Sequence, residues 1–283
     1  MNNLYNRQAQ LKIGKAGQTG VLISGLRIAF SIVKTITSES NSCIITVNNL
    51  TKATRAIIKS DTGVLVELSV GYEELGNLEV IFIGDIINVD HDETKPDITT
   101  VITLEDGFGA IKQKRVSLSY KSGSSLRQII TDASKALLIP EKTRLADVLI
   151  PDITFQSGFA FEGYAADLLD RLCGDYSLEW SVQNNEFKIT TKSSTDNSGS
   201  LFTSLIGSPK RIHKKPRGDS TEEEFKGWEI RTLLLPGAEP GGSIWLESKE
   251  VSPAARLKVV EIKHSGDTHG ADWTSTIKAK DLT

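Results

Sequence analysis

His264, Asp267 and His269 stand at a spacing that could supply metal ligands, with Glu261 just upstream. Two imidazoles and a carboxylate are ligand types that zinc accepts, provided that they converge on one point. The same run, Ser265-Gly266-Asp267-Thr268-His269-Gly270, also reads as a polar turn between two strands, because Gly266 and Gly270 relieve backbone strain. The turn is the preferred reading, and His264, Asp267 and His269 are kept beside it as metal candidates.

Other chemistry is harder to place. The chain contains no GxGxxG, Walker A, HExxH or EF-hand loop. No carboxylate pair and no serine–histidine pair stands out for acid–base or nucleophilic work. His91 lies in Asp90-His91-Asp92-Glu93, which reads as an exposed polar loop. His213 lies in the basic run Lys210–Arg217, and Glu222, Glu223 and Glu224 follow closely. Opposite charges this close read as a solvated loop, or as a subunit contact that sets register. The expectation is a non-enzymatic protein without a cofactor.

The bulk properties agree. In 283 residues there are 33 basic and 36 acidic side chains, a net charge of −3, which does not suit tight phosphate binding. Cys43 and Cys173 are the only cysteines and read as small buried hydrophobes in a reducing compartment. The first fifteen residues lack an apolar core for a secretory signal. The longest apolar stretches, such as Leu78–Ile87, are too short for a membrane span, so no membrane anchor is expected.

The elements that must carry these residues are mostly strands. Val21–Ile23, Leu26–Val33, Cys43–Val47, Val64–Tyr72, Leu78–Val89 and Thr99–Glu105 are β-branched runs separated by Gly, Asn, Asp and Ser. Asp61-Thr62-Gly63, Tyr72–Gly76 and Asp106-Gly107 supply turns, and Asn49–Ser60 reads as one short helix with Thr51 as its cap. Closing such a sheet into a small barrel would hide its edges. The middle differs: Ser122–Leu138 and Phe161–Cys173 read as amphipathic helices, the second ended by Gly174. A hairpin follows, with Asn184-Asn185 at its turn. Lys192–Ser200 is a polar linker, after which strands return over Leu205–Lys214, Phe225–Leu235, Ser243–Ser248, Ala255–Lys263 and Trp273–Ala279. The charged interruption Lys215–Glu224 and the turn cluster Pro236–Gly242 separate them. Trp180, Trp228, Trp245 and Trp273 lie in or beside strands, where core or interface packing is preferred to a carbohydrate platform. The division expected is a β region over 1–117, a small α+β domain over 118–192 and a second β region over 193–283.

The C-terminal motifs carry a family resemblance. Thr232-Leu233-Leu234-Leu235-Pro236, then Pro240-Gly241-Gly242-Ser243-Ile244-Trp245, then Val260 through His264-Ser265-Gly266-Asp267 and Gly270 to Trp273 resemble the last β domain of baseplate hub proteins. These are hubs of contractile-tailed phages and related injection systems, the phage late control protein D-like family. Leu235 stands where that family often has Asn. In the N-terminal half, Asn49-Leu50 before a short helix, Gly71-Tyr72 closing a strand, and Phe82 with Gly84 resemble the same family.

The resemblance implies a mainly β fold with two small tail-tube-like β-barrel domains and an inserted small α+β domain. It implies a homotrimeric ring with pseudo-sixfold symmetry that joins the hexameric tail tube to the trimeric central spike. The partners would be the spike protein, the tail tube or a tube-initiator protein, and neighbouring baseplate proteins. Genomic DNA would pass through the lumen without specific binding. The place implied is the virion baseplate, assembled in the host cytoplasm. Gly71, Tyr72, Gly84, Pro236, Gly241, Trp245, Gly266, Asp267, Gly270 and Trp273 are the structural or interface candidates. Two other functions stay open from the residues alone: a carbohydrate- or receptor-binding tail module, and a tail-associated cell-wall hydrolase.

Overall fold

A computed structural model describes residues 6–15, 20–59, 64–73, 76, 78–94, 96–142, 145–195, 201–202, 205–214, 225–248, 251 and 254–282. The turn at 61–63, the linker end at 196–200 and the charged interruption at 215–224 lie outside the described residues.

The N-terminal β half contains β1 (Arg7–Lys15), β2 (Val21–Ile23), β3 (Ile28–Thr35), β4 (Ser42–Asn48), α1 (Lys52–Lys59), β5 (Val64–Tyr72), β6 (Leu78–Asp92) and β7 (Thr99–Glu105). Period-two alternation explains these strands: in β3, Ile28, Phe30 and Ile32 are buried while their neighbours are more exposed. β1 follows the same rule through Ala9, Leu11 and Ile13, a strand that the sequence reading passed over. Thr51 caps α1, its Oγ1 accepting the Thr54 N–H at 3.1 Å. His91 is half-buried within β6, not in a loop, and its Nδ1 lies 3.1 Å from Thr100 Oγ1.

The α+β insert follows: α2 (Phe108–Gln113), β8 (Arg115–Tyr120), β9 (Ser124–Ser125), α3 (Leu126–Ala136), β10 (Thr154–Phe155), β11 (Phe159–Tyr164), α4 (Ala165–Asp175), β12 (Leu178–Gln183) and β13 (Glu186–Thr191). Ser125 caps α3 by accepting the Gln128 N–H at 3.2 Å. The second helix starts at Ala165, later than expected, because 159–164 alternates and pairs with β8. Gly174 lies inside α4 and does not end it. Asn184 and Asn185 turn the last hairpin with φ of 56° and 62°, the left-handed pair that its two-residue loop requires.

The C-terminal half contains β14 (Leu201–Phe202), β15 (Lys210–Lys214), β16 (Phe225–Leu233), β17 (Ser243–Leu246), β18 (Ala255–Asp267) and β19 (Trp273–Asp281). The two small closed barrels expected from the sequence are not formed. The strands join in one open 13-stranded sheet, ordered β15-β16-β19-β18-β3-β4-β7-β6-β5-β1-β2, with β17 beside β18 and β14 beside β17.

The physical reason is β18. Along one edge it pairs with β19; along the other it pairs first with β17 and then with β3, changing partner at an irregularity between Val259 and Glu261. A bulge bends and twists its strand, and here it carries the strand from one half into the other. The terminal edges are protected without closure. β2 has only three residues, and β15 carries Lys210, Arg211, His213 and Lys214.

Three separate apolar clusters lie under these elements. One fills the N-terminal half and takes in Leu234 and Trp273 from the C-terminal half. The second belongs to the insert, around Leu126, Ile130, Leu169 and Phe187. The third lies in the C-terminal half, around Ile230, Leu257 and Ile277.

Candidate assembly surface and a buried polar seam

The β18–β19 connection sends its candidate ligands to different places. His264 is 1% exposed on the inward face, and its Nδ1 lies 2.8 Å from Ser275 Oγ. Burial, aided by the Lys34 charge, pulls its pKa down to about 3, so the imidazole is neutral. Asp267 points outward, where Arg27 Nη2 donates to Oδ2 at 2.7 Å and Nε to Oδ1 at 3.3 Å. The Arg27 hydrogen bond holds its carboxyl below the usual carboxylate range. His269 is exposed and donates its backbone N–H to Asp267 Oδ1 at 2.9 Å. Among the described residues, no group of three or more His, Cys, Asp or Glu side chains is placed to hold a metal ion.

Gly266 is a strand residue rather than part of the turn, which occupies 268–271. Its missing side chain makes room for the Phe30 ring, which overlies the space that a Cβ would fill. Phe30 in turn meets Trp273 edge-on, at 5.7 Å between centroids, and Tyr72 meets the same indole at 6.2 Å. Arg7 lies over Trp273 at 5.7 Å and donates to the Gly270 carbonyl at 2.9 Å. A Cβ on Gly270 would come 2.5 Å from Asp267 Oδ2. Tyr72, Gly266, Asp267, Gly270 and Trp273 therefore meet at one end of the β3–β18 ladder.

The remaining candidates are dispersed. Gly71 pairs with Gln8 on β1. Gly84 on β6 sits where a Cβ would meet the Glu105 carbonyl oxygen at 2.8 Å. Pro236 begins the turn before β17, and Gly241 in that turn has φ 83° and donates to the Val259 carbonyl at 2.8 Å. Trp245 is half-buried on β17, opposite Arg256.

The most concentrated chemistry lies elsewhere, in a seam that the sequence reading missed. The tip of the β12–β13 hairpin bonds to both β halves. Asp106 accepts the backbone N–H groups of Asn184 and Asn185 at 2.6 and 2.7 Å, and Lys34 Nζ donates to Asn184 Oδ1 at 2.8 Å. Asn41 donates to the Val182 carbonyl at 2.8 Å, and Gln183 Nε2 donates to the Thr35 carbonyl at 2.7 Å. On the C-terminal side, Lys188 donates to the Pro240 carbonyl at 2.7 Å, and Glu239 accepts from Lys142 at 2.7 Å. Lys258 Nζ donates to Glu179 at 2.6 Å and to the Thr191 carbonyl at 2.8 Å.

Burial dominates the electrostatics of this seam. It pulls the Lys34 pKa down to about 8, against the opposing pull of Glu239 and Asp106. It pushes Asp106 up to about 6, against its hydrogen bonds from Asn185 and Asn184 and the charge of Lys34. Burial also pushes Glu239 upward, but Lys188, Lys34 and Lys142 together outweigh it and leave the carboxyl below its ordinary value. One sequence signal for the seam existed: Lys34 has the same parity in β3 as Ile28, Phe30 and Ile32, so alternation alone aims it inward.

An open, mainly β sheet with an α+β insert is an architecture of tail proteins. The 43 kDa tail protein of prophage MuSo2 from Shewanella oneidensis is 12% identical, with a TM-score of 0.66 and 98% of each chain covered. The tail protein from Neisseria meningitidis MC58 is 9% identical, with a TM-score of 0.64 over 98% of this chain and 97% of that one. The E. coli c3393 protein, a component of the type VI secretion system, is 9% identical with a TM-score of 0.59, covering 96% and 77%. Likeness at these identities shows the fold. Residues 8–158 match the family model described as baseplate hub gp41, and the chain belongs to that family. No curated protein sequence matches it. The chain is thus a structural, non-enzymatic component of a phage tail baseplate. Among the described residues, no helix is long and apolar enough to cross a membrane.

Proposed function

We propose that three copies of the chain form a hub ring that adapts the sixfold symmetry of the tail tube to the threefold symmetry of the central spike. The observation that carries this reading is the β3–β18 ladder, which joins the two β halves into one sheet. One subunit then offers two successive sheet segments to a tube, and three subunits offer six. Cyclic assembly would set the ends of this open sheet at the borders between copies.

In this reading, residues 1–117 and 193–283 build the ring and 118–192 stands outside it, because a ring wall needs continuous strands. The solved c3393 protein is described as structurally similar to the phage T4 tail proteins gp27 and gp5, and another solved relative is a PdpA–VgrG complex. The first description supports a place in a tail assembly, and the second shows a similar chain in complex with another protein. Neighbouring baseplate proteins would complete the contacts, and DNA would pass through the bore without specific binding. The net charge of −3 supports passage over gripping.

Light scattering coupled to size exclusion tests this, on the chain alone and mixed with its candidate spike protein. A mass of three chains, alone or on mixing, is the expected result. A monomer under both conditions would sink the adaptor reading.

A further inference from the structure

The β3–β18 ladder is the joint, or crease, along which the two β halves meet. Sheets vary in interstrand twist by about 25° from pair to pair, so two half-sheets that share one ladder can flex about it unless something spans the line. Each end of this crease is spanned, by different chemistry. At the Asp267 end, Trp273 from the C-terminal half is buried in the N-terminal core against Phe30 and Tyr72. At the Thr35 end, the insert's β12–β13 hairpin bonds to both halves. It reaches Lys34, Thr35, Asn41 and Asp106 on the N-terminal side, and Glu239, Pro240 and Lys258 on the other.

We propose that the α+β insert is a brace that sets the angle between the two β halves, and that this angle decides whether copies of the chain close into a ring. The second clause rests on the hub-ring reading above; the first does not.

The chemistry of the seam suits a brace. The insert's apolar cluster is separate from the clusters of the two halves, so the directional contacts at its seat are polar. These hydrogen bonds and ion pairs hold one geometry. Lys34, Lys142, Lys188 and Lys258 stand against Asp106, Glu179, Glu186 and Glu239, so the seam is balanced in charge. Asp106 and Lys34 on one half, and Pro240, Glu239 and Lys258 on the other, all bond to the insert, with Asn184 bonding to both sides, so a change of angle would break bonds of buried charged groups in a low-dielectric site. A ring closes only if every joint turns by the same amount, and a joint without its brace has no single turn.

The test places one spin label on each half of the full-length chain, through Lys52→Cys on α1 and Lys210→Cys on β15, both exposed. Labelled chain is diluted with unlabelled chain, and double electron–electron resonance reads the distance between the halves. Asp106→Ala and Glu239→Ala are then introduced separately, cutting the brace from the N-terminal and the C-terminal side. The expected result is one narrow distance in the parent, a broadened and shifted distribution in each variant, and loss of the single closed species in light scattering. An unchanged distribution, while hydrogen exchange shows the Asn184 and Asn185 amides unprotected, would overturn the brace. A broadened distribution with the closed species intact would overturn its link to ring closure. A monomeric parent would remove the ring reading and the second clause with it, and the distances would still decide the first. Should Asp106→Ala fail to fold, Glu239→Gln gives the same readout with less disturbance.

Discussion

Asp106 and Asn185 lie 79 positions apart and meet at 2.7 Å, where the carboxylate accepts the backbone N–H at the insert's hairpin tip. The same carboxylate accepts from Asn184, and Lys34 bonds to the Asn184 side chain. Asp106→Ala would orphan two backbone donors and leave Lys34, 1% exposed, with one of its two nearby negative charges, that of Glu239. Breaking a buried charged arrangement from one side costs about 3–5 kcal/mol. Urea unfolding should therefore show a large drop for Asp106→Ala and a smaller one for Asp106→Asn, which keeps an acceptor oxygen. Equal, small effects would mean that the tip is not held by this carboxylate.

The pH dependence of stability should expose two buried groups that oppose each other. The Asp106 pKa rises from 3.8 to about 6 on folding, so its contribution is full below 3.8 and is lost as pH rises through 6. The His264 pKa falls from 6.5 to about 3, so its contribution is full above 6.5 and is lost as pH falls toward 3. Between the two carboxyl values, folding gains one proton at Asp106 and releases one from His264, and the two slopes cancel. Removing one should reveal the other. Asp106→Asn should lose stability on acidification over this window by about 1.4 kcal/mol per pH unit relative to the parent. His264→Gln should show the opposite slope difference. Parallel curves for parent and variants would refute both assignments.

Much of the fold could be read from local pattern, and what could not was long-range. Alternation in Ile28–Ile32, the Thr51 cap and the Asn184-Asn185 turn are written in neighbouring residues, and the structure realises each. The sheet's connection is not local. Whether β3 pairs with β18 or closes on a strand of its own half depends on a bulge at Val259–Glu261, and β-branched composition says nothing of that. Phe159 and Phe161 alternate as a strand does, but the apolar run into α4 masked the boundary. The seam was hidden for the same reason as the topology. Asp106, Lys188 and Glu239 look like surface charges until the chain brings them together.

Cys43 and Cys173 should be inert in the folded chain. Both thiols are buried, Cys43 on β4 in the N-terminal core and Cys173 in the insert core. Burial pushes both pKa values up, that of Cys173 to about 12, so almost no thiolate exists at neutral pH. An aromatic disulfide reagent should release no colour from the native protein at pH 8 and should titrate two thiols after denaturation. A rapidly reacting thiol in the native state would place one of them near solvent.

Gly266 and Phe30 give the sharpest test of how the C-terminal half seats its tryptophan. The Phe30 ring occupies the space over Gly266, and its edge faces Trp273. Gly266→Ala forces a methyl group into that ring, and overpacking of a well-filled core costs about 1–3 kcal/mol. The backbone is not the cause, because Gly266 sits in a regular strand and not in the left-handed region. Phe30→Leu should relieve the clash while giving up the aromatic contact. In the double variant the two losses should then be less than additive, with a coupling of about 0.5–3 kcal/mol. Thermal unfolding followed by tryptophan fluorescence reads both the stability and the seat of Trp273. Strict additivity would mean that ring and glycine do not meet, and that another feature of β18 explains a glycine at this position.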